Sequence, residues 1–110
     1  MSGQDLLCEL KDRVARLDAA LGLIEKRGRD YAKLEYEYRV AMAKQIMIER
    51  EKRVPVTIIY DICRGNPVIA DLKFKRDVAE AVYKAAIEAC NVQKLQIKVL
   101  ENQINREWKG

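Results

Sequence analysis

The spacing of apolar residues in the first half of the chain constrains its fold most. Six of them alternate at intervals of three and four residues: Leu7, Leu10, Val14, Leu17, Leu21 and Ile24. This spacing places them on one stripe of an α-helix and is typical of a coiled-coil seam. No proline interrupts the chain from Asp5 to Arg53. The pattern therefore predicts one long helix over about residues 4–53.

Gly28 occupies the next position of this stripe. Inside a helix, glycine costs about 1 kcal/mol relative to alanine. It either kinks the first helix or lets a partner helix approach closely. The stripe resumes after it with Tyr31, Leu34 and Tyr38, so the prediction is one helix with a defect at Gly28 as the open alternative.

A short second element follows the dipeptide Val54-Pro55, because proline disfavours helical geometry in the residue before it. Gly65 stands just beyond this element, where helix C-caps favour glycine. Val, Ile, Thr and Tyr dominate residues 56–63, so a β-strand is the competing prediction. The flanking proline and glycine favour a short helix over residues 55–63.

The dipeptide Asn66-Pro67 predicts the start of a third element, with asparagine as N-cap and proline at the first helical position. No proline or glycine intervenes before Trp108. A second long helix over residues 67–108 is therefore expected. Its C-terminal half continues the seam pattern with Ile97, Leu100, Ile104 and Trp108.

Together these elements predict an all-α fold in a single elongated domain: a long antiparallel helical hairpin, coiled-coil-like, with a short helix at its tip. Helices of about 45 and about 40 residues would extend roughly 60 to 70 Å. A two-helix rod buries little, yet 49% of the residues are hydrophobic. We therefore expect two hairpins to dimerise into a four-helix bundle. The expected oligomer seam is Leu7, Leu10, Val14, Leu17, Leu21, Ile24, Ile97, Leu100, Ile104 and Trp108.

Residue types used for catalysis are scarce. The chain has no histidine, one serine (Ser2) and one threonine (Thr57). Its three cysteines form no C-x-x-C pair, so we expect reduced, partly buried thiols without a catalytic base. Zinc sites need imidazole or clustered thiolates. We therefore expect no enzymatic activity, no cofactor and no metal.

The net charge of +4 is unevenly distributed. Residues 1–26 sum to −1, residues 27–54 to +3, residues 55–76 to +2 and residues 77–110 to zero. The predicted tip is thus the basic end, where phosphates or acidic side chains would bind. The candidate contacts to a protein or nucleic-acid partner are Arg50, Lys52, Arg53, Arg64, Lys73, Lys75 and Arg76. The alternative is a solvated tip whose charges form local ion pairs.

Two observations predict a cytoplasmic protein. The longest apolar runs, Val54 to Tyr60 and Pro67 to Ala70, fall far short of the roughly 18 residues that a membrane span needs. Asp5 stands where a secretory signal carries basic residues. We therefore expect neither a membrane span nor secretion.

Trp108-Lys109-Gly110 spells W-x-G, a motif shared with WXG-type secreted proteins, which are helical hairpins. In that family the motif makes the turn between the helices. Here the motif closes the chain, and the predicted turn reads CRGNP. A WXG-like secreted hairpin is an alternative that rests on fold analogy alone.

Four segments, LEYEYRVA (34–41), VPVT (54–57), LKFKRDVA (72–79) and LQIKVLE (95–101) leading to Arg106-Glu107-Trp108, resemble small helical proteins of temperate phages of Gram-positive bacteria. The resemblance spans about residues 30–108. It implies a gene neighbourhood of early replication and recombination functions and carries no catalytic motif.

From this resemblance and the basic tip, we expect a non-catalytic accessory or adaptor protein in the cytoplasm of an infected or lysogenic bacterial host. It would bind a protein or nucleic-acid partner of the DNA-processing machinery through the tip. A scaffolding helical oligomer without nucleic-acid contact is the alternative.

Overall fold

The computed structural model describes residues 2–109, apart from the side chain of Lys109. It contains three helices, α1 (Gly3–Glu51), α2 (Val56–Arg64) and α3 (Pro67–Lys109), and the described residues include no strand. The all-α prediction is thereby confirmed, and the strand alternative for residues 56–63 is wrong. Because α1 runs through Gly28 without interruption, this glycine does not end the first helix.

Both long helices begin at a side-chain cap. The Ser2 hydroxyl oxygen accepts a hydrogen bond from the backbone N–H of Asp5 at 3.2 Å. The Asn66 amide oxygen accepts hydrogen bonds from the N–H groups of Val68 (2.9 Å) and Ile69 (3.4 Å). The predicted asparagine cap of α3 is therefore confirmed.

The C-terminal end of α1 is a Schellman motif without glycine. The Val54 N–H donates to the Glu49 carbonyl at 3.1 Å, and the Arg53 N–H donates to the Arg50 carbonyl at 2.9 Å. These two bonds define the motif. Arg53 has φ 62°, the left-handed conformation that glycine normally supplies. Gly65, the predicted C-cap glycine, caps α2 with a helical φ of −78° instead.

The chain forms two compact units: Met1–Lys26 with Tyr83–Gly110 (unit 1) and Arg27–Val82 (unit 2). Within unit 1, α1 and α3 are antiparallel. A Cβ atom at Gly3 would lie 3.6 Å from the Trp108 ring, and the Arg13 guanidinium donates to the Gln96 side-chain oxygen at 2.8 Å. The buried apolar side chains of unit 1 are Leu6, Ala86, Cys90 and Leu100.

Only part of the predicted seam is used inside unit 1. Leu100 is buried, and Leu10, Leu17, Ile24, Ile97 and Ile104 are half-buried, whereas Leu7, Val14, Leu21 and Trp108 are exposed. At alternate positions Leu6, Arg13 and Ala20 face inward instead. The inner face of α1 is thus rotated by one residue at these positions. Because residues 6 and 7 are both leucine, the sequence allows either residue to face α3, and in the structure Leu6 does so.

Unit 2 contains the short helix α2. Ile59 and Cys63, one helical turn apart, are its two buried residues, and Ile69 near the start of α3 is also buried. The cysteines are all free: Cys63 and Cys90 are buried and Cys8 is exposed. Two of the three therefore serve as small apolar residues.

Candidate interaction surface

All seven predicted contact cations belong to unit 2, and most have a carboxylate partner there. The pairs are Lys52 with Glu49 (3.8 Å), Arg64 with Asp61 (3.4 Å), Lys73 with Asp77 (2.9 Å), Lys75 with Asp71 (3.0 Å), and Arg76 with Glu35 (3.2 Å) and Asp77 (2.8 Å). Among residues 2–109, the side chains of Arg50 and Arg53 have no such partner. Local pairing therefore occupies much of the charge that the sequence places here.

Arg76 belongs to the interior of unit 2. Its side chain is 20% exposed, and its Nη1 atom lies 3.2 Å from Oε2 of Glu35 on α1. Its Nη2 atom lies 2.8 Å from Oδ1 of Asp77. The guanidinium also stacks 4.7 Å from the centre of the Tyr38 ring, a cation–π contact. Arg76 therefore joins α3 to α1 and is the predicted contact residue least suited to meet a partner.

The charges around Arg76 shift one another's pKa values. A hydrogen bond from Arg39, at 2.6 Å, is the main cause that lowers the pKa of Glu35, and Arg76 lowers it further. Hydrogen bonds from Lys73 and Arg76 lower the pKa of Asp77. The Asp77 carboxylate, followed by Glu35, raises the pKa of Arg76. Each group is thus held in its charged form by its neighbours.

Glu49 and Cys63 are the buried acid and buried thiol of unit 2. Glu49 is 8% exposed, and its carboxylate accepts a hydrogen bond from Gln45 Nε2 at 2.9 Å. Burial raises the pKa of the Cys63 thiol, and the Glu49 charge raises it further. A thiol held protonated in this way is a poor nucleophile. Burial and the neighbouring carboxylate thus favour the protonated form of Cys63.

The turn around α2 leaves apolar side chains exposed. A helix of nine residues has room for one inward pair, here Ile59 and Cys63. Its other apolar residues face solvent, with Val56 at 68% and Tyr60 at 53% exposure. The exposed apolar residues between positions 47 and 68, here named the turn surface, are Met47, Ile48, Val56, Ile58, Tyr60, Ile62 and Val68.

Sequence reasoning centred on the cations of this region and missed its apolar residues. The available signal was the run VTIIY at 56–60, since a short helix cannot turn so many apolar residues inward. Arg50 and Arg53, the two cations without a carboxylate partner among the described residues, lie in the same segment. The segment 47–68 thus contains both the apolar turn surface and two cations without a carboxylate partner among the described residues.

Unit 2 also contains an open groove of about 470 Å³ between α1 and α3. Its apolar lining is Leu34, Phe74, Val78, Ala79 and Val82, and its charged lining is Arg27, Asp30, Lys33, Glu37 and Lys75. The charged lining thus contains three cationic and two anionic side chains.

The described residues offer no metal site, because no group of three or more Cys, Asp or Glu side chains within residues 2–109 could hold an ion. Nor does any helix in this range combine the length and apolar character that crossing a membrane requires.

Comparisons of the chain with protein-family models, with curated proteins and with solved structures find no match. The resemblance to phage proteins therefore stays a prediction. Of the W-x-G motif, Trp108 lies in α3 and Gly110 lies outside the described residues.

Proposed function

We propose that the chain is a non-catalytic adaptor that binds a protein partner through the turn surface. The observation that carries this proposal is the exposure of seven apolar side chains in residues 47–68, a segment that also contains Arg50 and Arg53, which have no carboxylate partner among the described residues. Burying such a side chain contributes about 1.5–3 kcal/mol when burial is complete. A partner segment with apolar side chains flanked by carboxylates would complement both features.

A nucleic-acid partner is the second candidate, supported by the same two arginines and by the net charge of +5 over residues 27–76. It is less favoured because carboxylates already occupy most of the predicted contact cations. Two phosphate contacts would give binding that weakens about tenfold between 50 and 200 mM salt. A protein partner buried against apolar side chains would respond much less to salt.

The wider setting of this adaptor is also a proposal. It self-associates into a four-helix bundle and acts on DNA-processing machinery in the cytoplasm of an infected or lysogenic bacterial host. Self-association is supported by apolar surface that unit 1 leaves exposed, and the host setting by the phage resemblance over residues 30–108. A scaffold that does not use the turn surface is the alternative.

The proposal is tested by affinity purification from the native host with matched variants. Tyr60→Glu combined with Ile62→Glu changes two residues of the turn surface, 53% and 41% exposed, and places one charge on each side of α2, because two residues turn a helix by about 200°. Leu95→Glu combined with Val99→Glu makes the same change in unit 1, at positions 63% and 52% exposed.

A protein recovered in constant ratio with the wild type and the Leu95/Val99 variant, but lost with the Tyr60/Ile62 variant, is the expected result. Equal recovery with all three would remove the turn surface from the interaction. Circular dichroism of each variant confirms that the helices are intact.

The nucleic-acid candidate has its own assay. Fluorescence anisotropy with labelled single-stranded and duplex DNA is measured for the wild type and for Arg50→Ala combined with Arg53→Ala. Salt-sensitive binding that the double variant abolishes would favour nucleic acid as the partner. We expect no binding by the wild type even at about 50 mM salt.

A further inference from the structure

Unit 1 keeps an apolar strip on the surface of α1. Leu7, Val14 and Leu21 are seven residues apart and therefore lie along one line of the helix. They are 39%, 42% and 45% exposed. The Trp108 ring, 69% exposed, lies beside Gly3, one helical turn before Leu7. We call these four exposed side chains the unit 1 strip.

The strip is a third apolar position in two of the three heptads of α1 over residues 6–24, because the second heptad places Arg13 rather than an apolar residue toward α3. Pairing with α3 already uses two positions, represented by Leu6 and Leu10, which are buried and half-buried. A helix that contacts one neighbour needs two apolar positions per heptad, and a helix in a bundle uses three. The pattern of α1 in unit 1 is therefore that of a helix with a second neighbour.

The accessible surface of the whole chain is larger than that of an average folded monomer of its mass. The chain exposes 8138 Å², whereas a folded monomer of 12.7 kDa is expected to expose about 6,200 Å². The excess of about 1,900 Å² belongs to both units together, and it is more than twice the roughly 800 Å² that each partner contributes to a standard interface.

Charge also suits a second copy of the same chain. In unit 1, residues 1–26 carry a net charge of −1 and residues 83–110 a net charge of +2. Two such units do not repel one another strongly. A two-fold arrangement that sets α1 of one copy against α3 of the other brings opposite charges together.

We propose that a second copy of this chain docks on the unit 1 strip, so that two antiparallel helix pairs form a two-fold symmetric four-helix bundle. This inference rests on the self-association in the proposed function and assigns it to one face. Partner binding at the turn surface is independent of it, since the strip and the turn surface lie in different units.

The test is sedimentation equilibrium on the full chain with a matched pair of variants. Val14→Lys combined with Leu21→Lys puts charges on the strip. The control, Leu23→Lys combined with Leu95→Lys, makes the same change at exposed apolar positions off the strip. Leu21 and Leu23 are equally exposed at 45%, and two residues turn the helix by about 200°.

The wild type is expected to have twice the monomer mass of 12.7 kDa at micromolar concentrations. The strip variant should raise the dimer dissociation constant about 100-fold or more, because each copy brings the same charges to the symmetric interface. The control should leave the constant within about threefold of the wild type.

Two results would overturn the proposal. A wild type that remains a monomer throughout would remove both the strip and the self-association. A dimer that the control variant dissociates, or that the strip variant leaves intact, would move the interface to another face while self-association stands. Neither outcome bears on the affinity purification with the Tyr60/Ile62 variant, which tests partner binding at the turn surface separately.

Discussion

Substitution of Arg53 by glycine should stabilise the protein, although it removes a charge and a long side chain. Arg53 occupies the left-handed position of the Schellman motif that ends α1, with φ 62°. This conformation costs an L-residue with a side chain about 1–2 kcal/mol, and glycine adopts it freely. Part of the gain is offset because glycine makes the unfolded chain more flexible, by about 0.5–1 kcal/mol. The expected net stabilisation is about 0.5–1 kcal/mol.

Gly65 provides the opposite case in the same unit. Its φ of −78° is helical, and a Cβ atom there would lie 3.6 Å from the backbone oxygens of Asp61 and Ile62, an ordinary contact. Gly65→Ala should therefore stabilise by about 0.4–1 kcal/mol through the unfolded state. The pair tests whether backbone geometry alone, without new contacts, sets stability at these two positions.

The assay is urea unfolding followed by circular dichroism at one fixed protein concentration, since association would shift the midpoint. Arg53→Ala is the control, because it removes the charge and keeps the left-handed cost. In the folded state, glycine avoids the left-handed cost of about 1–2 kcal/mol that alanine keeps. After the greater flexibility of glycine in the unfolded chain is subtracted, Arg53→Gly should be about 0.5–1 kcal/mol more stable than Arg53→Ala. Equal stability of these two variants would refute the assignment of Arg53 to a strained position.

Three further predictions follow from the interiors of the two units. Arg76→Ala should lower the free energy of unfolding by about 1–3 kcal/mol, because the ion pair with Glu35 and the contact with Tyr38 are lost together. Arg76→Lys should recover only part of this loss. An alanine variant as stable as the wild type would contradict the prediction. The buried Gln93 side-chain oxygen accepts no hydrogen bond within the described residues. Gln93→Leu should therefore raise the thermal midpoint, because an apolar side chain avoids the desolvation cost of about 1 kcal/mol or more. A lower midpoint would mean that the amide is paired. Folding lowers the pKa values of Glu35 and Asp77, so both carboxyl groups take up protons at higher pH in the unfolded chain than in the folded one. Thermal stability should therefore fall as the pH drops below their ordinary pKa values of 4.5 and 3.8. Glu35→Gln should make this pH dependence weaker.

The fold class was predictable because its signals are local. At the start of α3, the Asn66 side-chain oxygen accepts hydrogen bonds from backbone N–H groups two and three positions later, and Pro67 has its φ fixed near the helical value. The prolines divide the chain whatever it packs against. The inner face of α1 was not predictable, because Leu6 and Leu7 are both leucine and only packing against α3 selects between them.

The candidate site divides in the same way. The pairs Lys73 with Asp77 and Lys75 with Asp71 join positions four apart and can be read from the sequence. The contact of Arg76 with Glu35 joins residues 41 positions apart and needs the folded unit. The turn surface was predictable in part. Its apolar residues can be read from the sequence, but which of them are exposed depends on which pair of residues α2 buries.

Site-specific photo-crosslinking in the native host tests the adaptor function most directly. A photoreactive aromatic amino acid replaces Tyr60 on the turn surface or, in the matched control, Leu95 in unit 1; both positions are more than half exposed, at 53% and 63%. Position 60 should give one discrete adduct with a different protein, which Arg50→Glu combined with Arg53→Glu weakens, and position 95 should not give this adduct. Identical adducts from both positions, or none from position 60, would contradict partner binding at the turn surface.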